Sequence, residues 1–542
     1  MINKSFLLIT IFTVSACSVF NKAPQTPPPN IYTFSNHITE DGLYADLAVI
    51  AHDSLEGRET GTQGEEKAAR YLEHRYKEIG LQAAGDDGSY FQHFDLIQPA
   101  VEQISYKISS STNDSIIDLS THNPHHNGSF VTIFGGSDSL SGPIVFAGAG
   151  MFNEEEGINH YPDDIDGKWI MVLYDRDYTN MRYLQSALSG DALGAIIIVG
   201  TDIEDYNQEA ESRKSSFGQG RGLGLKYLQE DSGQRAPAFN RIHPEMATKL
   251  LGLGNLEALA EIQVKITNDP ASFQPKELDV NLDHNPVVNE NTVVSKNVVA
   301  FLEGNDPELK NEVVVLSSHY DHVGFGQPDS TGDNLYNGAD DDGSGTVATL
   351  HTAQAMAAAQ KAGVGPKRSV LFLHVSGEEK GLLGSRYYSD HPIFPIENTV
   401  ANLNIDMIGR VDEAHAEDSS YVYIIGGEII SSGLDSLTQM ANVMGPNLTL
   451  SKRYNDLNDP NQFYRRSDHW NFGRLGVPFV FFFTGTHADY HRPSDHVDKI
   501  TFGPYTKRTQ LVYNLTALLA NSPERPVVDN QEFIEKTQVQ PR

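Results

Sequence analysis

Four short apolar runs dominate the second half of this 542-residue chain: EVVVLSS (312–318), SVLFLHV (369–375), VANLNIDM (400–407) and VPFVFFFTG (477–485). Several are continuous rather than alternating, which predicts strands covered on both faces. The stretches between and before them supply the cover. TVATLHTAQAMAAAQ places Val347, Leu350, Ala353 and Ala357 on one helical side, and upstream Ala69, Leu72, Tyr76 and Ile79 recur at helical spacing until Gly80 ends the pattern. Such alternation predicts an α/β chain, specifically a three-layer α/β/α sandwich around a mixed, largely parallel sheet.

The middle reads differently. SGPIVFAGAG, GKWIMVLYD and ALGAIIIVGTD are short strands separated by turn signals, followed by FGQGRGLGLKY and the helix-like HPEMATKLLG. They predict an inserted, mainly-β second domain over 131–272, dividing the larger domain into 36–130 and 273–522. The glycines of GQGRGL miss the G-x-G-x-x-G spacing of a nucleotide loop, so a flexible loop is expected there. HNPHHNG, with His122, His125 and His126, has no carboxylate beside it and reads as a polar loop. The polar tail, 523–542, is expected to pack poorly.

Charge narrows the partners. Forty basic against 72 acidic residues leave a net charge of −32, which repels a phosphate backbone and an anionic lipid surface alike. Nucleic acid is therefore not expected as a partner. Membrane attachment needs another source, and the amino terminus offers one: Lys4, an apolar run from Phe6 to Val14, then small residues, a layout too short to span a bilayer. Val14-Ser15-Ala16-Cys17 resembles the lipobox of bacterial lipoproteins. That reading makes 1–17 a signal, Cys17 a lipidated residue, and 18–35 a proline-rich linker, in a protein exported and anchored to the cell envelope. Ser18 gives no acidic retention cue, which leans towards the outer membrane. Cys17 is also the single cysteine, so no disulfide forms within the chain.

Acids and histidines follow the strand-like runs, at the edge where open α/β sheets build their sites. His319-Tyr320-Asp321 follows the first, Glu378-Glu379 the second, Asp406 lies in the third, and His487 to His491 follows the fourth. Between them NGADDDGSGT sets Asp340, Asp341 and Asp342 among small residues. An EF-hand reading fails, because the twelfth position from Asp340 is His351 rather than glutamate. No H-E-x-x-H helix and no G-x-S-x-G elbow is present. What remains is a mixed set of histidines and carboxylates, which suits zinc in a hydrolytic site.

HYDHVG, NGADDDGSGT, SGEEKGLLGS, NIDMIGR and YHRPSDH, in this order, resemble the family-28 metallopeptidases, the co-catalytic zinc aminopeptidases and their carboxypeptidase relatives. LEGRETGTQGEEKAARYL and SDHWNFGRLGVPFVFF extend the resemblance, while DIDGKWIMVLYDR, LGAIIIVGTD and APAFNRIHPEMATKLLG look like a protease-associated domain. The resemblance implies two Zn²⁺ per chain: one held by His319 and Asp406, the other by Glu379 and His491, with Asp341 bridging both. It further implies Glu378 as general base for a water that attacks a peptide substrate. Asp321 would accept the second imidazole N–H of His319. Asp340 and Asp342 would point away from the metals or serve as outer acceptors. Ser467, Asp468 and His469 would line or support the pocket.

The implied activity is that of an exported zinc aminopeptidase. A carboxypeptidase or dipeptidase on the same scaffold is the nearest alternative, a glutaminyl-cyclase-like transferase a weaker one. A binding protein on a dead peptidase scaffold is disfavoured because all five ligands and the base are present. Arg465 and Arg466 are read first as solvated surface and second as an anion-recognising wall.

Overall fold

A computed structural model of the chain describes residues 30–110, 116–118, 130–134, 138–175, 177–188, 192–214, 222–228 and 237–539. Cys17 with its leader, the 122–126 histidines and most of FGQGRG lie outside the described residues. The helix expected from 69 to 79 spans Gln63–Ile79 (α1), buries Ala69, Leu72, Tyr76 and Ile79, and stops at Gly80, whose φ of 85° suits glycine.

The strands that organise the molecule are β1 (Phe91–Ser110), β2 (Leu140–Phe146), β3 (Trp169–Leu173), β4 (Gly194–Ile198), β5 (Ala238–Ile242), β6 (Lys276–Leu302), β7 (Val313–His319), β8 (Ser369–Val375), β9 (Thr399–Ile405), β10 (Tyr421–Gly426), β11 (Thr449–Ser451) and β12 (Phe479–Phe483). They form one mixed sheet in the order β11-β10-β12-β9-β7-β8-β6-β2-β3-β4-β5. The run β12-β9-β7-β8 is parallel, and so is β2-β3-β4-β5. Strand β6 is antiparallel to β8 through its end and to β2 through its start, so it joins the two parallel halves; β1 pairs along most of it.

Both faces of the first half are covered, as the continuous apolar runs require. On one face Val314, Leu316, Phe372 and Leu403 pack under α1, α2 (Gly345–Lys361) and α4 (Phe502–Asn521). On the other Val313, Val315, Leu371 and Leu373 meet Tyr388 of α3 (Leu383–Asp390) and Phe472.

The insert is richer in helix than its strand-like sequence suggested: Met181–Leu188, Ile203–Lys214, Pro244–Leu250 and Leu256–Asn268 accompany its parallel strands. Its core also draws on Ile104, Tyr106 and Ile108 of β1 and Leu278 and Leu282 of β6, outside the 131–272 stretch. Long strands let one chain segment serve two cores. The tail expected to be loose is packed: α5 (Gln531–Thr537) buries Phe533, with Val528 and Val539, against Phe479 and Tyr423. Three apolar residues in a polar context suffice to dock it. Among the described residues no helix is long and apolar enough to cross a membrane.

Candidate metal centre

Parallel register brings the ends of β7, β8, β9 and β12 to one edge, with His319 opposite Val375 and Ile405 opposite Phe482. His319 closes β7, Glu378 and Glu379 follow β8, Asp406 follows β9, and His491 lies on the loop after β12. Asp341 enters from the segment Ala339–Ser344 that leads into α2.

The Asp341 carboxylate sits between two groups of donors. Its Oδ1 is 3.3 Å from His319 Nε2, which lies 3.7 Å from Asp406 Oδ1. Its Oδ2 is 3.0 Å from His491 Nε2, which lies 3.1 Å from Glu379 Oε2. Ligand atoms of His319, Glu378 and Asp406 fall within 4.8 Å of one another, as do those of His322, Asp341 and Glu379. His491 holds φ at 52°, a left-handed conformation uncommon outside glycine and one that functional sites tolerate.

Donor chemistry and charge fit a borderline dication such as zinc. Asp341 Oδ2 is buried yet makes no hydrogen bond of acceptable geometry, leaving a lone pair directed into the site. Burial works to lower the His491 pKa, but the Asp341 and Glu379 carboxylates overcome it and raise it to about 10. His319 behaves alike: burial opposes, and the Glu378, Asp341 and Asp406 carboxylates hold its pKa well above the usual imidazole range. The imidazoles thus supply positive charge that the carboxylates demand, and a metal ion would displace those protons. Burial, with the Asp406 and Glu379 carboxylates adding to it, pushes Glu378 well above the ordinary glutamate range.

The outer aspartates of the triplet both point at main-chain N–H groups. Asp340 Oδ1 accepts from Gly409 N at 2.7 Å and Ser344 Oγ at 2.9 Å; Asp342 accepts from Gly345 N at 2.8 Å, Met407 N at 3.1 Å and His319 N at 3.2 Å. They tie the triplet to the segments bearing Asp406 and His319. A Cβ on Gly345 would stand 2.4 Å from the Asp342 carboxylate, so only glycine fits there.

Asp321 requires a correction. Its carboxylate does not take the imidazole N–H: Oδ1 is 3.8 Å from His319 Nδ1, which instead lies 3.0 Å from the Asp321 main-chain oxygen. The carboxylate faces the other way, accepting from Thr60 Oγ1 at 2.8 Å and Glu378 N at 3.3 Å. Its pKa is raised to about 6 by burial. Asp321 therefore positions the Glu378 backbone rather than the His319 ring.

Three supporting residues went unassigned in the sequence. His322 Nδ1 lies 2.8 Å from Glu379 Oε1; its signal was the second histidine of HYDHVG. Asp495, the acid of YHRPSDH, accepts from Asp340 N at 2.9 Å and Asp341 N at 3.2 Å, clamping the His491 loop to the triplet. Arg58 of LEGRETGT is fully buried and donates to four carbonyls, those of Ile50, Tyr320, Asn337 and Gly338. Burial lowers its pKa to about 10, while Asp321, Asp341, Asp342 and Asp495 keep it charged beneath the acidic cluster. Ser467 donates to Asp406 Oδ2 at 2.7 Å, while Asp468 and His469 are buried behind the cleft.

Residues 297–516, which carry every candidate metal ligand above, match the profile of peptidase family M28. This segment is an M28 peptidase domain. An aminopeptidase from Aneurinibacillus sp. strain AM-1 shares the fold with a TM-score of 0.51 at 18% identity, over 92% of this chain and 98% of that one. Among curated relatives, a probable leucine aminopeptidase of Arthroderma benhamiae is 26% identical over 219 residues, 40% of this chain and 56% of that protein. Probable leucine aminopeptidase 2 of Aspergillus oryzae is 33% identical over 199 residues, 35% of this chain and 33% of that protein. Aminopeptidase YwaD of Bacillus subtilis is 25% identical over 256 residues, 46% and 49% of the two chains. This chain thus spans from a third to just over half of the length of these relatives.

The cleft over these donors is small, with a volume of about 40 Å³. Its wall away from them is built by Met407, Phe463, Phe481, Phe483 and Arg466. Arg465 is placed elsewhere: it hydrogen-bonds Tyr464 Oη and stacks over Tyr464 and Trp470.

Proposed function

We propose that the chain is an exported, zinc-dependent aminopeptidase that removes N-terminal residues from peptides. The observation that carries this reading is the Asp341 carboxylate, which offers one oxygen to the His319–Asp406 group and the other to the Glu379–His491 group. The names of the curated relatives, leucine aminopeptidases and YwaD among them, agree with it.

His319 and Asp406 would hold one Zn²⁺, Glu379 and His491 the other, and Asp341 both. Two bound zinc ions supply Lewis acidity towards the scissile carbonyl and lower the pKa of water. Glu378, at the cleft floor, takes a proton from the attacking water on its carboxylate and returns it to the leaving amine nitrogen. Asp321 fixes the Glu378 main chain during both transfers. A free α-amino group of the substrate would find a binding position at the metal held by Glu379 and His491, which favours cleavage at an amino terminus. The insert is read as a protease-associated domain that shapes access to the cleft; Cys17, on the lipobox reading, anchors the protein to the envelope.

Zinc content of the purified protein, measured with hydrolysis of aminoacyl-p-nitroanilides and of the same substrates with a blocked amine, tests the reading. Two zinc per chain and cleavage of free-amine substrates alone are expected. Equal cleavage of blocked substrates, or absence of metal after zinc is restored, would refute it. Incorporation of labelled palmitate by the full chain and its loss in Cys17→Ala test the anchor.

A further inference from the structure

The acidic character of the chain makes an unpaired cation conspicuous. Two cations beside the cleft are neutralised: Arg410 and Lys499 each lie 2.7 Å from the Asp489 carboxylate. Arg466 is different. It lines the cleft, is exposed, and has no carboxylate within ion-pair distance among the described residues. Its guanidinium lies 4.8 Å from the centre of the Phe463 ring, and its main-chain N–H donates to the Phe463 carbonyl at 3.2 Å. The stem is thus held against an aromatic face while the planar donor fork stays free.

The charges around it are one-sided. The other charged groups lining the cleft, Asp341, Glu378, Asp406, His319 and His491, are all accounted for by the metal centre and its base; the Tyr490 phenol also lines it and is kept neutral by burial. Buried Met407, Phe463, Phe481 and Phe483 form the apolar part of the wall, and the remaining lining residues outside the metal centre, Ser467, Thr486 and Tyr490, carry no negative charge to pair with the fork. A ligand that fills this apolar wall and carries an anion at its edge meets both features together.

We propose that Arg466 is a specificity residue that selects substrates bearing a free carboxylate beside the apolar wall. The carboxylate is either the side chain of an acidic N-terminal residue or the C-terminal group of a dipeptide. Two parallel N–H···O bonds from the fork would seat it. The inference rests on the exopeptidase reading above and sharpens its substrate class. Arg465 takes no part, being committed to Tyr464 and Trp470.

Two matched pairs of ligands separate the sources: glutamyl- against glutaminyl-p-nitroanilide for the side chain, and Leu-Gly against Leu-Gly-amide for the C-terminus. Each is measured with the zinc-loaded parent, Arg466→Gln and Arg466→Lys, by hydrolysis and by calorimetric binding. In one pair the parent is expected to favour the charged member by about tenfold, the scale of a charge-assisted hydrogen bond. Arg466→Gln should erase that preference by raising KM or Kd for the charged member more than for the neutral one, and Arg466→Lys should keep part of it. An unchanged charged-to-neutral ratio in both pairs overturns the proposal. Discrimination seen by calorimetry without any hydrolysis would uphold Arg466 and defeat the aminopeptidase reading instead, whereas hydrolysis without discrimination would do the reverse.

Discussion

The two parallel halves of the sheet end in edges of the same topology and different chemistry. In the insert, polar side chains after the strands are used by their neighbours: Asp175 Oδ1 accepts from Asp177 N at 2.9 Å, Asp202 Oδ1 from Glu204 N at 2.8 Å, and His243 Nδ1 from Glu245 N at 3.2 Å. In the peptidase half the partners are remote: Asp340 reaches Gly409, Asp342 reaches Met407, and Asp495 reaches back to Asp340 and Asp341 across 155 and 154 positions. Carboxylates at strand ends are common to both. A site arises where long-range contacts hold several at one point without consuming their lone pairs.

Breaking the remote edge should cost most. Glu378→Gln should lower kcat by ~10²–10⁴ while zinc content stays at the parent value; a loss of zinc in step with activity would instead make Glu378 structural. Asp495→Ala removes the clamp without touching a donor, and should weaken zinc binding by ~10–100-fold in a chelator competition, as loss of outer-shell support does. Parent-like affinity would show that the triplet holds itself.

A remote polar cluster away from the cleft isolates stability from chemistry. Asp46 is bound by Arg75 at 2.9 Å, by His351 at 2.8 Å and by Tyr71 Oη. Burial tends to raise its pKa, and the His351 and Tyr71 hydrogen bonds reverse this and lower it. A lowered folded pKa means stabilisation present above the unfolded value of ~3.9 and lost as pH falls through the folded one. Asp46→Asn should therefore cost ~1.5–3 kcal/mol at neutral pH, less on acidification, with kcat unchanged. The local edge should matter least: Asp202→Ala is expected to cost ~1 kcal/mol and to leave zinc content and hydrolysis as they were.

The sequence itself carried what depends on near neighbours. Continuous apolar runs became strands buried on both faces, the 69–79 periodicity became a helix ended by Gly80, and acids and histidines appeared at strand ends because register follows from parallel pairing. The five motif positions assigned to metal by resemblance come together at one point. Tertiary structure alone decided the rest. That Asp321 serves Glu378 rather than His319, that Arg58 underlies the acidic triplet, that Arg466 faces the cleft while Arg465 turns to Trp470, and that Phe533 docks the tail are all matters of contact between distant segments. A side chain has the same local context whether it meets water or a partner hundreds of residues away. Only packing distinguishes the two, because burial and the exclusion of water set the strength of each polar contact.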